Sequence, residues 1–439
     1  MLLEFKTKNY KSFSDELVFT MVPAPKQTGL DYSVHTEKAG TKDYKGLCSA
    51  IIYGPNASGK TNIVGAIDTM KSLVLRGNVR NTTVMDSTNT AAATLELIPN
   101  CNNDNPITEF SISFINQGLK IDYSFSVEIG QFAETNHKRS ILEEKLCINE
   151  KNLFIRGNDL EIAFPTPLTG YYNESSRISK KSIVDIAKAS LIDDELFLCN
   201  GFKTIISKYL ADIIITWFTM KLNVIYRSDV FEVFKSMDGY VGNSIMIDKT
   251  LTEAAKAFGI NSNAIGFRKE SENDAPEMIS IVKNKDVALR SRVFESYGTL
   301  RFINEFPALA GCLKNGGTLV VDEFDASIHP MALMSIINIF HNDEINTANA
   351  QLIFNTHNPI FLDASLFRRD EIKFVERDKK TNNSVHYSLS DFRTADGIRK
   401  GESYMKNYFL DRYGAIEDIN FVPVFKKVLG IQEEHKTND

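Results

Sequence analysis

The chain has 439 residues, of which 43% are hydrophobic and 24% are charged, which allows two or three domains, or one domain with a large insertion. Its formal net charge of −6 argues against a surface dominated by nucleic-acid contacts, although a local basic groove stays compatible with it. The five cysteines form no Cys-x-x-Cys pair, which argues against disulfides or a zinc site and favours buried thiols in a reducing compartment.

The N-terminal segment predicts paired strands. Residues 2–20 alternate apolar and polar side chains around a turn at residues 11–15. Met1-Leu2-Leu3 leads directly into this segment, so no signal peptide is expected. The most apolar run, Ile213 to Phe218, is too short to span a bilayer. We therefore expect a cytoplasmic protein that makes no membrane contact.

A phosphate-binding motif, G-x-x-x-x-G-K-[ST], follows the next predicted strand, residues 49–53. The residues after the motif place Ile63, Ile67, Met70 and Val74 on one face of a helix. Strand, loop and helix in this order are the context in which the motif binds a nucleoside triphosphate, through backbone N–H groups and the helix N-terminus. The predicted cofactor-binding residues are Gly54, Pro55, Asn56, Ala57, Ser58, Gly59, Lys60, Thr61 and Asn62.

Two side chains of this motif have predicted chemical roles. Lys60 is expected to neutralise the β- and γ-phosphates of ATP and to offset the charge that develops during hydrolysis. The hydroxyl of Thr61 is expected to hold Mg²⁺.

Three further regions are predicted along the chain. Residues 107–129 alternate around Asn116-Gln117-Gly118 and predict a β-hairpin. Residues 166–290 predict a mostly helical insertion with helices over 181–197, 203–222 and 249–258, and no sustained heptads, hence no long coiled coil. From residue 291 onward, buried strands and helices alternate, as in parallel α/β folds. The expected organisation is therefore an N-terminal part (1–165), an insertion (166–290), a C-terminal part (291–432) and a polar tail (433–439).

The strand predicted over residues 318–321 ends in two acids. Ligands bind at the carboxyl ends of strands in open α/β sheets. Asp322 is suited to hold Mg²⁺ together with Thr61, and Glu323 is suited to activate water as a general base.

Two other segments are candidates for phosphate contacts. The strand over residues 352–354 is followed by His357, which is expected near the γ-phosphate; the alternative is a histidine that caps a turn. Ser296 and Gly298 open a predicted helix and form a second anion site, which is best explained if a second molecule donates it. Here the alternative is an ordinary N-cap.

In order and spacing, these segments resemble the ABC-type ATPase heads of the RecF/SMC group over most of the chain. The resemblance implies an α/β head that sandwiches two ATP molecules between two copies. It identifies Asp322 and Glu323 with the Walker B pair, Ser296 and Gly298 with the signature, Asp325 with the D-loop and His357 with the switch histidine. Residues 295–299 depart from the L-S-G-G-Q of transporters, and no glutamine is assigned to the Q-loop.

Residues 9–13, Asn-Tyr-Lys-Ser-Phe, resemble the opening strand motif of the same group. This resemblance implies that Lys11 and Ser12 lie near the nucleotide.

A narrower resemblance is to short bacterial AAA-type ATPases of abortive-infection and anti-phage operons. The residues that carry it are Glu295 to Thr299, Asp322 to Pro330, Arg369 to Glu376 and Arg412 to Ile416. The resemblance implies an ATP-driven switch that responds to a phage protein and controls a separate effector, such as a Toprim-type nuclease. The 82 residues after His357 contain no Toprim or HNH pattern, so cleavage is expected from a partner.

Two other functions stay open at this stage. A RecF-like DNA-repair ATPase would bind nucleic acid, and a modest basic cluster of Arg177, Lys180, Lys181 and Lys188 fits it, although such a run is also typical of a solvated helix start. An ATPase subunit of a transporter is disfavoured by the insertion and by the missing L-S-G-G-Q.

Overall fold

The computed structural model describes residues 1–25, 27–80, 96–134, 137–174, 180–226, 244–260, 262–269, 271, 274–282, 287–392, 402–417 and 419–430. Arg177 of the basic cluster and the predicted tail at 433–439 lie outside these residues.

Nineteen strands and nine helices are named among the described residues. The strands are β1 (Leu2–Lys8), β2 (Leu17–Thr20), β3 (Val34–Ala39), β4 (Lys42–Leu47), β5 (Ser49–Tyr53), β6 (Ile107–Asn116), β7 (Leu119–Glu128), β8 (Ser140–Ile148), β9 (Lys151–Arg156), β10 (Leu160–Ile162), β11 (Leu222–Ile225), β12 (Met246–Ile247), β13 (Ala264–Arg268), β14 (Glu277–Val282), β15 (Val287–Arg290), β16 (Thr318–Val321), β17 (Gln351–Asn355), β18 (Ile372–Arg377) and β19 (Ser384–Ser388). The helices are α1 (Lys60–Arg76), α2 (Lys180–Ala189), α3 (Lys208–Thr216), α4 (Lys249–Phe258), α5 (Ser291–Phe294), α6 (Tyr297–Asn315), α7 (Pro330–Phe340), α8 (Tyr404–Phe409) and α9 (Val422–Val428).

The larger sheet is antiparallel and has the strand order β10-β9-β8-β7-β6-β1-β2. Its longest hairpin, β6–β7, pairs Phe110 with Phe125 and Ile112 with Tyr123, so one face is aromatic and buried. Gln117 and Gly118 both have positive φ in the turn, as a tight hairpin requires. The hairpin predicted over residues 107–129 is thereby confirmed.

The second sheet carries the site and has the order β11-β16-β17-β5-β18-β19. All pairs are parallel except β18–β19. Strands β5, β16 and β17 are buried along their whole length, because helices cover both faces, and their carboxyl ends meet at one edge. The predicted α/β class with a parallel sheet in the C-terminal part is confirmed.

One buried side chain, Gln351 on β17, links the two sheets. Its Oε1 accepts from Leu2 N (2.6 Å) and from Thr318 Oγ1 (3.1 Å). Its Nε2 donates to Leu2 O (3.1 Å) and to Leu47 O (2.9 Å). All four hydrogen-bonding positions of the amide are thus used, which fixes the first strand of the antiparallel sheet against the parallel one.

Residues 166–290 were predicted to form a mostly helical insertion. The first half of this segment is helical, but the second half contains strands as well as helix α4. Helices α2 and α3 and π-helical segments at Leu198–Ile206 and Trp217–Lys221 pack on the antiparallel sheet, where Trp217 stacks on Phe114 at 3.8 Å. Strand β11 joins the parallel sheet, and β12 to β15 form a four-stranded antiparallel sheet. These strands have two to six residues each, so their alternation is too brief to distinguish them from helix, and partner strands decide their conformation.

Within the described ranges, every helix falls short of the length and hydropathy that a bilayer crossing demands. No long coiled coil occurs there either, the longest helix being the 19 residues of α6.

Candidate functional site

The loop between β5 and α1 leaves no space for larger residues at two glycines. A Cβ on Gly54 would approach the carbonyl oxygen of Val375 to 2.1 Å, and one on Gly59 would approach Ser384 Oγ to 2.4 Å. Gly59 also has a φ of 114°, and Ala57 has a φ of 59°. The chain therefore folds as a tight cradle just ahead of the N-terminus of α1, which is the place where polyphosphate binds.

Lys60 is the buried cation of this cradle. Its Nζ donates to the carbonyl oxygens of Gly54 (2.8 Å) and Pro55 (2.9 Å), and the residue is only 5% exposed. Burial lowers the pKa of Lys60 to about 8, against the opposing effect of the nearby acids Glu323, Asp322 and Asp325. The ammonium is thus held ready for an anion that would enter the cradle.

Thr61 and Asp322 meet although 261 positions separate them. Thr61 Oγ1 donates to Asp322 Oδ1 at 3.0 Å, since the start of α1 lies beside the end of β16. Asn355, the last residue of β17, also donates to Asp322 Oδ1, at 2.5 Å. Asn355 was not predicted as a site residue; its position at the end of the strand next to the Asp-Glu strand was the available sequence signal.

Glu323 projects from a backbone that two side chains hold in place. Its φ is 51°, a left-handed conformation that is uncommon outside glycine. Its N–H donates to Asn355 Oδ1, and its carbonyl oxygen accepts from Arg301 Nη2. The side chain is exposed, so the backbone is fixed while the carboxylate faces solvent.

Arg301 belongs to α6, the helix that begins after Ser296. Its Nε donates to Glu305 Oε1 at 3.0 Å, and its Nη2 also reaches the carbonyl oxygen of Asp322 at 3.3 Å. Burial raises the pKa of Glu305 to about 7, although Arg301 acts in the opposite direction. The pair thus connects α6 to the backbone of both acids that end β16.

Most of the predicted site residues line one cavity of about 310 Å³. Its lining comprises Ser12, Asn56, Ala57, Ser58, Gly59, Lys60, Thr61, Asn62, Glu323, His357 and Arg377. His357 lies at its surface, where partial desolvation and the Lys60 ammonium lower its pKa, against the nearby acids. The structure therefore brings the loop, the general-base candidate and the histidine into one space.

Two residues next to this cavity were missed by the sequence analysis. Ser384 Oγ donates to the carbonyl oxygen of Ser58 and lies 2.7 Å from Ser12 Oγ. Asn62 Nδ2 donates to Ser12 Oγ at 2.7 Å. Arg377, the last residue of β18, brings an exposed cation to the rim. Neither lies in a motif. Arg377 reaches the loop because β18 pairs with β5, and Ser384 because β19 pairs with β18.

Lys11 does not line the phosphate cavity. Its ammonium donates to Glu96 and to Tyr226 Oη, and Tyr226 Oη donates to Glu96 at 2.8 Å. Lys11 instead lines an adjoining cavity of about 210 Å³. Ser12, Asn62 and Arg377 line both this cavity and the phosphate cavity. If Lys11 contacts the nucleotide, as predicted, it does so in this adjoining cavity and not in the phosphate cavity.

Ser296, Gly298 and Asp325 also lie outside the phosphate cavity. Ser296 Oγ accepts from Thr299 N at 3.2 Å and so caps α6, the alternative that the sequence had left open. A Cβ on Gly298 would meet the carbonyl oxygen of Ser327 at 2.1 Å. Asp325 Oδ2 accepts from Thr356 Oγ1 at 2.6 Å.

The oxygen donors Thr61 and Asp322 suit Mg²⁺. This ion usually keeps several waters and takes one or two protein ligands together with substrate phosphates. In the described ranges, no cluster of three or more histidine, cysteine or acidic side chains offers a metal an all-protein cage. Ser58 Oγ is buried without a hydrogen-bond partner in the same loop, which leaves the cradle with an unused polar group. The residues present therefore fit a magnesium–triphosphate complex.

Comparison with known proteins finds a matching family model and, among the similar solved structures, two SMC head domains. The family model described as "AAA domain, putative AbiEii toxin, Type IV TA system" matches residues 49–190 and 223–363, well over half of the chain. No curated protein sequence matches.

Both structures are SMC head domains. The one from Thermotoga maritima is 12% identical, with 88% of this chain and 98% of that chain covered and a TM-score of 0.34. The one from Pyrococcus furiosus, with an extended coiled coil and bound to the C-terminal domain of ScpA, is 14% identical, with 89% and 97% covered and a TM-score of 0.36. Both TM-scores are below 0.5.

Proposed function

The chain belongs to the AAA-domain family described as a putative AbiEii toxin of a type IV TA system. From this premise we propose that it has an ABC-type P-loop ATPase head, binds and hydrolyses ATP, and acts as a switch. The observation that carries the proposal is one cavity that phosphate-loop residues 56–62 and Glu323 line together, with Asp322 bonded to Thr61 of that lining. ATP is the nucleotide proposed, and Mg²⁺ is the ion.

The loop at residues 54–62 would bind the triphosphate through its backbone N–H groups. Lys60 would exchange its two carbonyl partners for phosphate oxygens, which also relieves the cost of its burial. Thr61 and Asp322 would hold Mg²⁺, which supplies charge neutralisation when bound. Ser12, Asn62 and Arg377 border both cavities, so the nucleoside would extend past them into the second one.

Glu323 is the proposed general base. Its carboxylate would accept a proton from water as the water oxygen bonds to the γ-phosphorus and the bond to the ADP oxygen breaks. Asn355 and Arg301 position its backbone. His357, whose pKa is lowered, would be neutral near pH 7 and would donate a hydrogen bond to the γ-phosphate.

We also propose that two copies close on two ATP molecules. Ser296 and Gly298 lie outside the phosphate cavity of their own chain, and Tyr297 between them is 57% exposed. Donation of this segment across a dimer would complete each site with hydrogen bonds to phosphate. Hydrolysis would remove the group that bridges the copies, and the dimer would loosen.

The biological role proposed is control of a separate effector in phage defence. The family description supports a toxin–antitoxin or abortive-infection setting. The narrower resemblance is to ATPases of anti-phage operons, of which the ATPase subunit of the PARIS system is one; this resemblance suggests a nuclease as effector and a phage protein as trigger. The RecF-like alternative has less support: Lys188, one residue of the basic cluster, forms an ion pair with Asp159.

The direct test of hydrolysis is Glu323→Gln. We expect ATP affinity to stay within about threefold of wild type while turnover falls by roughly 10²–10⁴, because a general base contributes about that factor. Retention of labelled ATP and phosphate release measure the two quantities. Glu344→Gln, an exposed glutamate after α7, is the matched control and should behave as wild type. Wild-type turnover by Glu323→Gln would refute the assignment of the base.

A further inference from the structure

The C-terminal helix α9 is short and exposed. It has seven residues, none of them buried, and a helix of this length is not stable alone in water. Phe421, Val424, Phe425 and Val428 are each between 57% and 74% exposed. Their spacing i, i+3, i+4, i+7 places them on one stripe of the helix, which is the pattern of a helix that docks into an apolar groove.

An apolar groove lies elsewhere on the same chain. It has a volume of about 600 Å³ and runs between α4, α6 and α7. Apart from His329 and Ser335 its lining is apolar, and it includes Phe258, Phe306, Ala310, Ala332 and Ile336. Phe258 stacks on Phe302 with ring centres 4.4 Å apart, which gives the groove a firm aromatic wall.

Every copy of the chain therefore carries both an exposed apolar helix and a groove of matching chemistry. The helix also has Lys427 off its apolar stripe, and the exposed acids Asp343 and Glu344 follow the end of α7, one of the three helices that form the groove. Opposite charges on the two surfaces favour their association.

The buried area favours an exchange between two copies. An aromatic side chain buries about 150–250 Å² when covered, so the four stripe residues would bury roughly 400 Å², and the groove a similar area. Two helices exchanged reciprocally would bury roughly 1,600 Å² in total, the usual size of a stable interface. A single docked helix would bury only about half of that.

We propose that α9 of one copy docks into the α4–α6–α7 groove of a second copy, and that the exchange is reciprocal. This contact needs no nucleotide, because neither surface includes a residue of the phosphate cavity. It is thus separate from the ATP-dependent contact proposed above, and either can fail without the other.

The test uses the full-length chain in nucleotide-free buffer, with self-association measured by sedimentation. Val424→Asp places a charge on the stripe, and we expect the dimer Kd to rise by at least about tenfold. Val422→Asp is the matched control: it is the same residue type with 59% exposure instead of 57%, but it lies off the stripe. The control should leave Kd within about twofold.

A second variant addresses the groove. Ala310→Trp fills the groove and should weaken self-association as Val424→Asp does. If Ala310→Trp unfolds at a lower temperature than wild type, Ala332→Trp, on the opposite wall of the groove, replaces it in the experiment. A mixture of Val424→Asp and Ala310→Trp retains one intact helix and one intact groove. We expect it to form a 1:1 pair more tightly than either variant pairs with itself.

Three results would overturn the proposal: a wild-type chain that stays monomeric without nucleotide, variants that associate as wild type does, or a mixture that forms no pair. The first is also the outcome if α9 occupies its own groove or binds another protein. Normal ATP hydrolysis by wild-type protein in the same preparations would show that the proposed function is unaffected by such a failure.

Discussion

At the scale of single residues, the site shows which positions a motif can reveal. Gly54 to Asn62 and the pair Asp322 and Glu323 were predicted because each stands in a local pattern with a recognisable flank. Asn355, Arg377 and Ser384 were not, because their roles depend on strands that pair across long sequence separations. Lys11 was expected near the nucleotide, and Glu96 and Tyr226 instead engage its ammonium.

Lys60 leads to a prediction about pH. Because burial lowers its pKa to about 8, the ligand-free protein loses this charge as the pH rises through that value. Bound triphosphate would favour the ammonium, so binding above about pH 8 requires proton uptake and should weaken by up to about tenfold per pH unit. Titration of ATP affinity against pH, at constant ionic strength, measures this.

Lys60→Arg is the control for that titration. A guanidinium stays charged across the range, so this variant should bind more weakly overall but with an affinity that is flat in pH. If wild type were equally flat, the lowered pKa of Lys60 would play no part in binding.

Arg301 leads to a prediction about positioning. The double variant Arg301→Met/Glu305→Gln removes the contact from α6 to the backbone of Glu323 without leaving an unpaired buried charge. We expect kcat to fall by roughly 10- to 100-fold, since small misplacements at a reacting centre have effects of this size, while KM changes little. Glu305→Gln alone keeps Arg301 and should retain most activity. A rise in KM with normal kcat would assign the pair to binding.

At the scale of elements, the strongest prediction concerns the link between the sheets. Gln351→Ala leaves Leu2 N and O without the partners that they have in the buried interface. Each unsatisfied buried group costs about 1–3 kcal/mol, so we expect the free energy of unfolding to fall by roughly 2–4 kcal/mol. Chemical denaturation with two spectroscopic probes measures it. Gln131→Ala, at an exposed position, should change the free energy of unfolding by less than about 0.5 kcal/mol. A change as small as this in Gln351→Ala would mean that the link between the sheets does not stabilise the fold.

The elements also show which strands a sequence pattern predicts and which it does not. The hairpin β6–β7 and the strand β5 were predictable because ten alternating residues or five consecutive buried ones leave little ambiguity. Strands β12 to β15 lie in a stretch that predicts helix and solvated loop, since they are brief and half exposed. Their conformation is decided by pairing with one another and by packing on α4 and α6, as the shared cluster of Leu251, Phe267 and Ile303 shows.

At the scale of the whole molecule, we propose two separate contacts between copies. One would depend on ATP and involve Ser296 and Gly298; the other would depend on α9 and the apolar groove. The predicted ATP-head fold follows from order and spacing along the chain, whereas the groove does not, because it depends on how three separate helices pack against one another. Assembly is therefore the property that sequence patterns describe least.

The mass of Glu323→Gln in solution, measured with and without ATP and Mg²⁺, shows whether ATP joins two copies. It should be measured in the Val424→Asp background, so that helix exchange does not contribute. We predict a monomer without nucleotide and a dimer that retains two ATP molecules with it, and no dimer when Ser296→Arg is added. Protein that binds ATP yet remains monomeric would contradict the proposal that ATP joins two copies.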